Sequence, residues 1–389
     1  MGQAIVGMKK DDMRLRTLIL LIFLVSLTRT GISQTKTDFI NGTLRDKGTK
    51  SKIEFASVGI INTTLGTAAD ENGEFTLRIE NQYKIEKLKI SCIGYLTKTL
   101  SIDSLLSLNQ NNHTIYLTPN IALLDEVVVK GAPVNPADII KLAVSSIDDN
   151  YLQQPFNLEL LSIINADDSI AGKKYKVESI LAGYYQGYNP KGKKKFEIIQ
   201  KRTTGEDPLK TINYGYWPSF EIGSADLLTD QFKRGIFNLD LLDDFRFKYA
   251  GVSIYENDTV YNIEYYAPRP TTKITGYGIV PKTYRGNIYI TTSTNAVVRH
   301  EIITSSFTYH VIYKKLNDRY FPYYFSGLRI NEFKLPGGKR EFRTYNTVTV
   351  TKIILQDIKV IDNKANEFDV NKVKYDDKFW NEYFPIERR

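Results

Sequence analysis

The 389-residue chain has one cysteine and three histidines, and these two shortages exclude whole classes of chemistry. Cys92 alone forms no internal disulfide. Its place in the alternating run Leu88-Lys89-Ile90-Ser91-Cys92-Ile93 reads as a small buried hydrophobe rather than a nucleophile. His113, His300 and His310 are dispersed, lie in strand-like runs and open no H-x-x-E pair. A zinc centre needs clustered His and carboxylate ligands on a rigid frame, so no metal and no cofactor are expected. The chain also lacks a G-x-S-x-G elbow, a phosphate-cradling glycine loop and any Cys and His arrangement for nucleophilic attack. A non-enzymatic protein is the expectation.

Long apolar runs are missing too. The longest, residues 18–27, follows a basic stretch ending at Arg16 and precedes Gly31-Ile32-Ser33, a small-x-small cleavage site before Gln34. That order is a secretory leader over residues 1–33. Ten apolar residues fall short of the ~20 a helix needs to cross a bilayer, so the mature chain is expected to carry no transmembrane segment, and with no cysteine after the cleavage site, no lipid anchor. Strong charge is absent as well. The net charge is +8, and the leader holds five basic and two acidic residues, leaving +5 for the rest. The densest basic run, Lys193-Lys194-Lys195, sits beside Pro190 and Gly192 and reads as a solvated loop, not a nucleic-acid stripe.

What the chain does have is aromatic weight, 26 Tyr and 19 Phe, and aromatics favour strands. The length suits two domains. Residues 39–44, 55–61, 75–79, 88–93, 97–102, 114–117 and 126–129 are seven strand candidates separated by turn residues. Phe75, Leu77, Ile79, Ile90 and Cys92 share a parity that can fill a sandwich interior. Asp70-Glu71-Asn72-Gly73 reads as a hairpin turn rather than a calcium loop, because the alternating ligands and distal Glu of that loop are missing.

Four ordered motifs then carry a resemblance. Thr67-Ala68-Ala69-Asp70-Glu71-Asn72-Gly73-Glu74-Phe75, Ser91-Cys92-Ile93-Gly94-Tyr95, Phe55-Ala56-Ser57-Val58 and Leu124-Asp125-Glu126-Val127-Val128-Val129 resemble signatures of the carboxypeptidase regulatory-like domain, as found at the head of TonB-dependent outer-membrane transporters. Ala69 departs from the family's usual Thr. The resemblance implies a seven-stranded prealbumin or immunoglobulin-like β-sandwich over residues 34–130, an accessory fold without the peptidase. About 260 residues follow, too few for a 22-stranded transporter barrel.

Residues 133–150 read as a helix inside a linker of residues 131–154, with Asn135 as N-cap, Pro136 in the first turn and Ile139, Ile140, Ala143, Val144 and Ile147 on one side. Strands are expected again at 156–164, 174–185, 196–200, 252–255, 260–266, 284–291, 296–305, 308–314, 320–333 and 340–354, joined as successive hairpins. Tyr261-Asn262-Ile263-Glu264-Tyr265, Arg285-Gly286-Asn287-Ile288-Tyr289-Ile290, Ala296-Val297-Val298-Arg299-His300-Glu301 and Tyr320-Phe321-Pro322 resemble the periplasmic lipoprotein-carrier half-barrels. That likeness implies, for residues 155–389, an antiparallel sheet curled around a helix, with a concave face able to take acyl chains.

Two further clusters read as structural. Asp240, Asp243 and Asp244 suit a solvated helix end or loop, and the aromatics from Tyr214 to Phe220 suit strand or core positions better than a sugar platform. The whole predicts a mainly β protein exported to the periplasm or the periplasmic face of the outer membrane. Its expected role is a non-catalytic envelope accessory that binds a protein partner and supports assembly or transport. The alternatives are a carrier of a lipid or lipidated substrate in the C-terminal sheet, or a glycan-binding adhesion module. The carrier needs an open apolar concavity; a sheet covered by residues 133–150 and 225–232 leaves none, and that covered form is the expected one.

Overall fold

The structure is a computed structural model that describes residues 38–108, 112–120, 135–168, 172–189, 192–204, 233–275, 280–335, 338–361 and 375–383. The leader, the strand expected at 126–129, the aromatics at 214–220 and the cover expected at 225–232 lie outside the described residues.

The first domain is a sandwich of two small sheets, ordered β4-β1-β7 and β3-β2-β5-β6. Its strands are β1 (Asp38–Asp46), β2 (Ser57–Ile60), β3 (Gly66–Ala68), β4 (Glu74–Ile79), β5 (Lys87–Ser91), β6 (Lys98–Ser101) and β7 (His113–Leu117). Burial alternates along β4 and β7 as period-2 patterning requires. The predicted interior set of Phe75, Leu77, Ile79, Ile90 and Cys92 meets Ile40, Leu44, Val58 and Leu88 in one core. A short helix, α1 (Ile102–Ser107), closes one end, its first turn capped by the Ser101 hydroxyl, which accepts from the Ser104 amide.

Two expectations need correction here. The stretch Gly66-Thr67-Ala68 forms a strand that the sequence reading passed over, because glycine and alanine are poor strand formers. The turn Asp70-Glu71-Asn72-Gly73 is therefore no hairpin: it carries the chain from β3 in one sheet to β4 in the other. Asp70 Oδ1 accepts from the amides of Asn72 and Glu74 at 2.8 and 2.9 Å, and Gly73 takes the left-handed φ of 75°.

The second domain is one ten-stranded antiparallel sheet, ordered β10-β9-β8-β17-β16-β15-β14-β13-β12-β11. Its strands are β8 (Phe156–Asp168), β9 (Lys173–Tyr185), β10 (Lys194–Thr204), β11 (Arg246–Tyr255), β12 (Asp258–Tyr266), β13 (Tyr284–Thr291), β14 (Val297–Thr304), β15 (Phe307–Leu316), β16 (Arg319–Leu335) and β17 (Gly338–Ile354). Each overlaps a predicted run, although β11 starts six residues before the run at 252–255 and β10 extends beyond 196–200 at both ends. The sheet is open, ending at β10 and β11.

One face, called inner here, is covered by the chain itself. Helix α2 (Pro136–Ser145) begins where expected: the Asn135 side chain accepts from the Ala137 amide at 3.1 Å and Pro136 opens the first turn. With α3 (Ile147–Asn150) it delivers Ile139, Ile140, Ala143 and Ile147 to the inner core. Ile236, Phe237, Leu241 and Leu242, on and just before the 3-10 turn at Leu239–Asp244, complete the cover. Beneath them lie the inner side chains of the sheet, among them Leu158, Leu181, Ile263, Ile288, Val311, Phe325 and Val350.

Candidate functional site

Among the described residues the inner face is packed with buried apolar side chains. Ile288 and Ile290 are fully buried beneath the protein's own helix and aromatic side chains. Tyr151, Phe156, Tyr185, Tyr188 and Phe321 form one stack there, with Phe156 and Tyr185 centroids 4.9 Å apart. The Tyr151 hydroxyl donates to the Val297 carbonyl at 2.6 Å, tying the chain after α3 to β14.

The outer face carries the arrangement that sequence reasoning missed, the junction with the sandwich. Opposed residues of an antiparallel sheet share a face, and Asn287↔Glu301, Glu301↔His310, His310↔Ser326 and Ile312↔Tyr324 are opposed pairs. This row meets the outward face of the β3-β2-β5-β6 sheet. There the register pairs Ser57 with Ala68 and Ser91, and Gly59 with Gly66, so the sandwich presents almost bare backbone. Tyr323 occupies that bare seat: its hydroxyl donates to the Val58 carbonyl at 2.6 Å. A Cβ on Gly66 would stand 1.8 Å from that hydroxyl oxygen, and one on Gly59 would stand 2.2 Å from Lys314 Nζ. Lys314 lies over the Tyr323 ring, and burial brings its ammonium pKa down to about 8.

Phe55 enters the same junction from the loop before β2. It holds a φ of 58°, a backbone region unfavourable to a bulky side chain. In return its ring stacks on His310 with centroids 4.6 Å apart, sits under the Arg299 guanidinium at 5.4 Å, and joins Ala68, Ile312, Tyr323 and Tyr324 in a separate apolar cluster. Arg299 pairs with Glu301, which also accepts from Asn287 Nδ2 at 2.9 Å and lies 3.6 Å from His310 Nδ1. Burial works to raise the Glu301 pKa, but His310, Arg299 and Asn287 outweigh it and hold the carboxyl well below the usual range. Burial likewise opposes the charge on Arg299, and Glu301 reverses the balance. At the rim, Lys89 and the Ser91 hydroxyl reach Glu256 at 2.9 and 3.1 Å, and the Gly94 amide donates to the Ile254 carbonyl at 2.8 Å.

The junction encloses a cavity of about 10 Å³ lined by Phe55, Cys92, Tyr255, Arg299 and Ile312, room for one water at most. Cys92 faces it with a thiol that burial pushes up to about 11, and a thiol of that pKa is a poor nucleophile at neutral pH. Among the described residues no group of three or more His, Cys, Asp and Glu could hold a metal.

The three histidines are kept apart. His113 is buried in β7 of the sandwich. His300 and His310 stand on opposite faces of the large sheet, since His300 opposes Val311 of the inner core while Glu301 opposes His310. His300 Nε2 and the Tyr265 hydroxyl lie 2.7 Å apart, that hydroxyl also donates to the Glu301 carbonyl at 3.1 Å, and burial pulls the imidazole pKa down to about 3. Asp240, Asp243 and Asp244 fall on the 3-10 turn at Leu239–Asp244, where Asn238 caps the Asp240 amide. One signal for the junction was available: Ser57, Gly59, Gly66 and Ala68 are uniformly small on the strand face that a lone sandwich would show to water.

No curated protein matches the chain in sequence. Among solved structures, an outer membrane lipoprotein-sorting protein domain from Vibrio parahaemolyticus is 9% identical, with 60% of this chain and 98% of that one covered at a TM-score of 0.28. A DUF1329 family protein from Desulfovibrio piger is 11% identical, with 62% and 100% covered at a TM-score of 0.27. The MucA/MucB complex of Pseudomonas aeruginosa gives 5% identity, 54% and 92% coverage and a TM-score of 0.19. The family model described as CarboxypepD_reg-like domain matches residues 40–129, the span of the sandwich built on Phe55, Gly73, Phe75 and Gly94. The first folded domain of this chain is a carboxypeptidase regulatory-like domain.

Proposed function

We propose that the protein is an exported, non-catalytic accessory protein of the Gram-negative envelope, a rigid two-part scaffold on which a protein partner assembles. The observation that carries this reading is the filled inner face. The side chains that an acyl chain would have to contact, such as Leu158, Ile288 and Phe325, belong to one buried cluster with Ile139, Ile140 and Ala143 of α2, Ile147 of α3 and Phe237. The locked junction supports the same role, because a sandwich seated on backbone by Tyr323 and wedged by Phe55 moves with the large sheet as one body. The secretory pattern of residues 1–33 and the regulatory-like domain support a role outside the cytoplasm.

Native mass spectrometry of the processed protein, purified from envelope without delipidation, tests the reading against a carrier. The scaffold gives the bare polypeptide mass and captures an envelope protein by cross-linking in cells. Lipid retained at near-equal molar ratio would replace the scaffold with the carrier.

A further inference from the structure

A cationic tip stands at the end of the sandwich where β1 and β7 finish. The chain leaves β1 through the turn at residues 46–51 and returns to pair Arg45 with Lys52. Arg45, Lys47 and Lys50 are exposed and Lys98 is half-buried. Among the described residues no carboxylate pairs with them, and three are ordered by other groups. Arg45 Nη1 donates to the Lys50 carbonyl at 3.0 Å, Lys50 Nζ to the Lys47 carbonyl at 2.9 Å, and Lys98 Nζ to the Tyr116 carbonyl at 3.0 Å. Lys50 Nζ also lies 4.4 Å from the centre of the Tyr116 ring, a cation-π contact. The one acid within the turn, Asp46, is buried, and both its oxygens are engaged: Oδ1 accepts from the Gly48 and Thr49 amides at 2.7 Å each, and Oδ2 from the Tyr95 hydroxyl at 3.1 Å. Lys52 marks the edge of the patch, bonded to Asn72 beside Glu71.

Exposed cations that no neighbouring carboxylate pairs with attract a surface of the other sign. The four cations sit at the end of β1, on the turn after it and at the start of β6. Between and beside them stand Tyr116 and Leu96, 37% and 49% exposed. An array of Lys and Arg with an exposed amphipathic ring and an exposed aliphatic side chain suits the headgroup layer of a membrane, where cations meet anionic lipid and Tyr lies at the polar-apolar boundary. We infer that the tip formed by Arg45, Lys47, Lys50, Lys98 and Tyr116 rests on an anionic phospholipid surface, orienting the sandwich against a membrane of the envelope.

The test is co-sedimentation of the processed protein with vesicles of phosphatidylcholine alone or of phosphatidylcholine mixed with phosphatidylglycerol. Binding is expected only to the mixed vesicles, and raising the salt until the screening length falls to a few ångströms should release it. Each cation near an anionic surface contributes about fivefold to partitioning. Lys47→Glu with Lys50→Glu therefore lowers binding by about 25-fold or more, while thermal unfolding stays unchanged because the Lys50 ammonium reaches only a carbonyl and a ring and Lys47 is exposed. Lys47→Gln with Lys50→Gln gives the same direction without added repulsion, should the reversal disturb the fold. Equal binding to both vesicle types, no binding to either, or binding unaffected by the substitutions overturns the proposal. So does binding to soluble polyglutamate but not to mixed vesicles, which would make the tip a protein-docking surface.

Discussion

Lowering the pH from 7 to 5 should cost this protein about 2 kcal/mol of folding stability through one residue, His300. Its ring lies on the inner face with no exposed surface, edge-on to Phe237 at 5.3 Å and against the Tyr265 hydroxyl, and its Nδ1 finds no partner among the described residues. An imidazolium there would be stripped of water with a single polar neighbour for its two N–H groups, so burial pulls the folded pKa to about 3. In the unfolded chain the same ring titrates near 6.5. Between those values the unfolded state holds a proton that the folded state refuses, so stability is complete above about 6.5 and falls by about 1.4 kcal/mol for each pH unit below it. The assay is urea unfolding at closely spaced pH values from 7 to 5, beside the His300→Gln variant, whose amide can still meet the Tyr265 hydroxyl. The native protein should show the slope and the variant should lose it, whatever its absolute stability. Glu301 adds a loss of the same sign, but only below the ordinary carboxylate range near 4, outside the window. Equal slopes for the two proteins would refute the argument.

Other consequences follow from the junction and the inner core. Phe55→Ala removes the wedge from the His310, Arg299 and Tyr324 surface and should cost about 3 kcal/mol, splitting one calorimetric transition into two as the sandwich uncouples from the sheet. Gly66→Ala forces a methyl group onto the Tyr323 hydroxyl and should destabilise by about 1 to 3 kcal/mol, read as a lower urea midpoint; an unchanged midpoint would mean the seat yields freely. Ile288→Asp, which an open carrier sheet would tolerate, places a carboxylate in a filled core and should leave no cooperative unfolding by circular dichroism, because an unpaired buried charge costs more than most domains can spare.

How far these features were legible in the sequence depended on how local their causes are. The ten strands of the large sheet were all readable, β11 only over its last four residues, because they are rich in aromatic or β-branched residues and punctuated by turn residues such as Asn257-Asp258 and Asn317-Asp318. Helix α2 was readable to the residue at its start because Asn135 and Pro136 are local capping signals. Strand β3 was not, since it is only three residues long, two of them the weak strand formers Gly66 and Ala68, and it is held by pairing with Ser57, Val58 and Gly59. The same limit hid the junction. Val58 and Tyr323 are 265 positions apart, and nothing near either residue announces the other. In Val297-Val298-Arg299-His300-Glu301-Ile302-Ile303 the charges of Arg299 and Glu301 alternate through an apolar strand. Read alone, that pattern gives a half-solvated strand with its charged face in water, the commonest arrangement for an antiparallel sheet. What turns it into a buried pair is a second surface of matching shape, and Ser57, Gly59, Gly66 and Ala68 are the trace that surface leaves: side chains kept small where bulk would cost a lone domain nothing, because here backbone must come within hydrogen-bond reach of a tyrosine from another sheet.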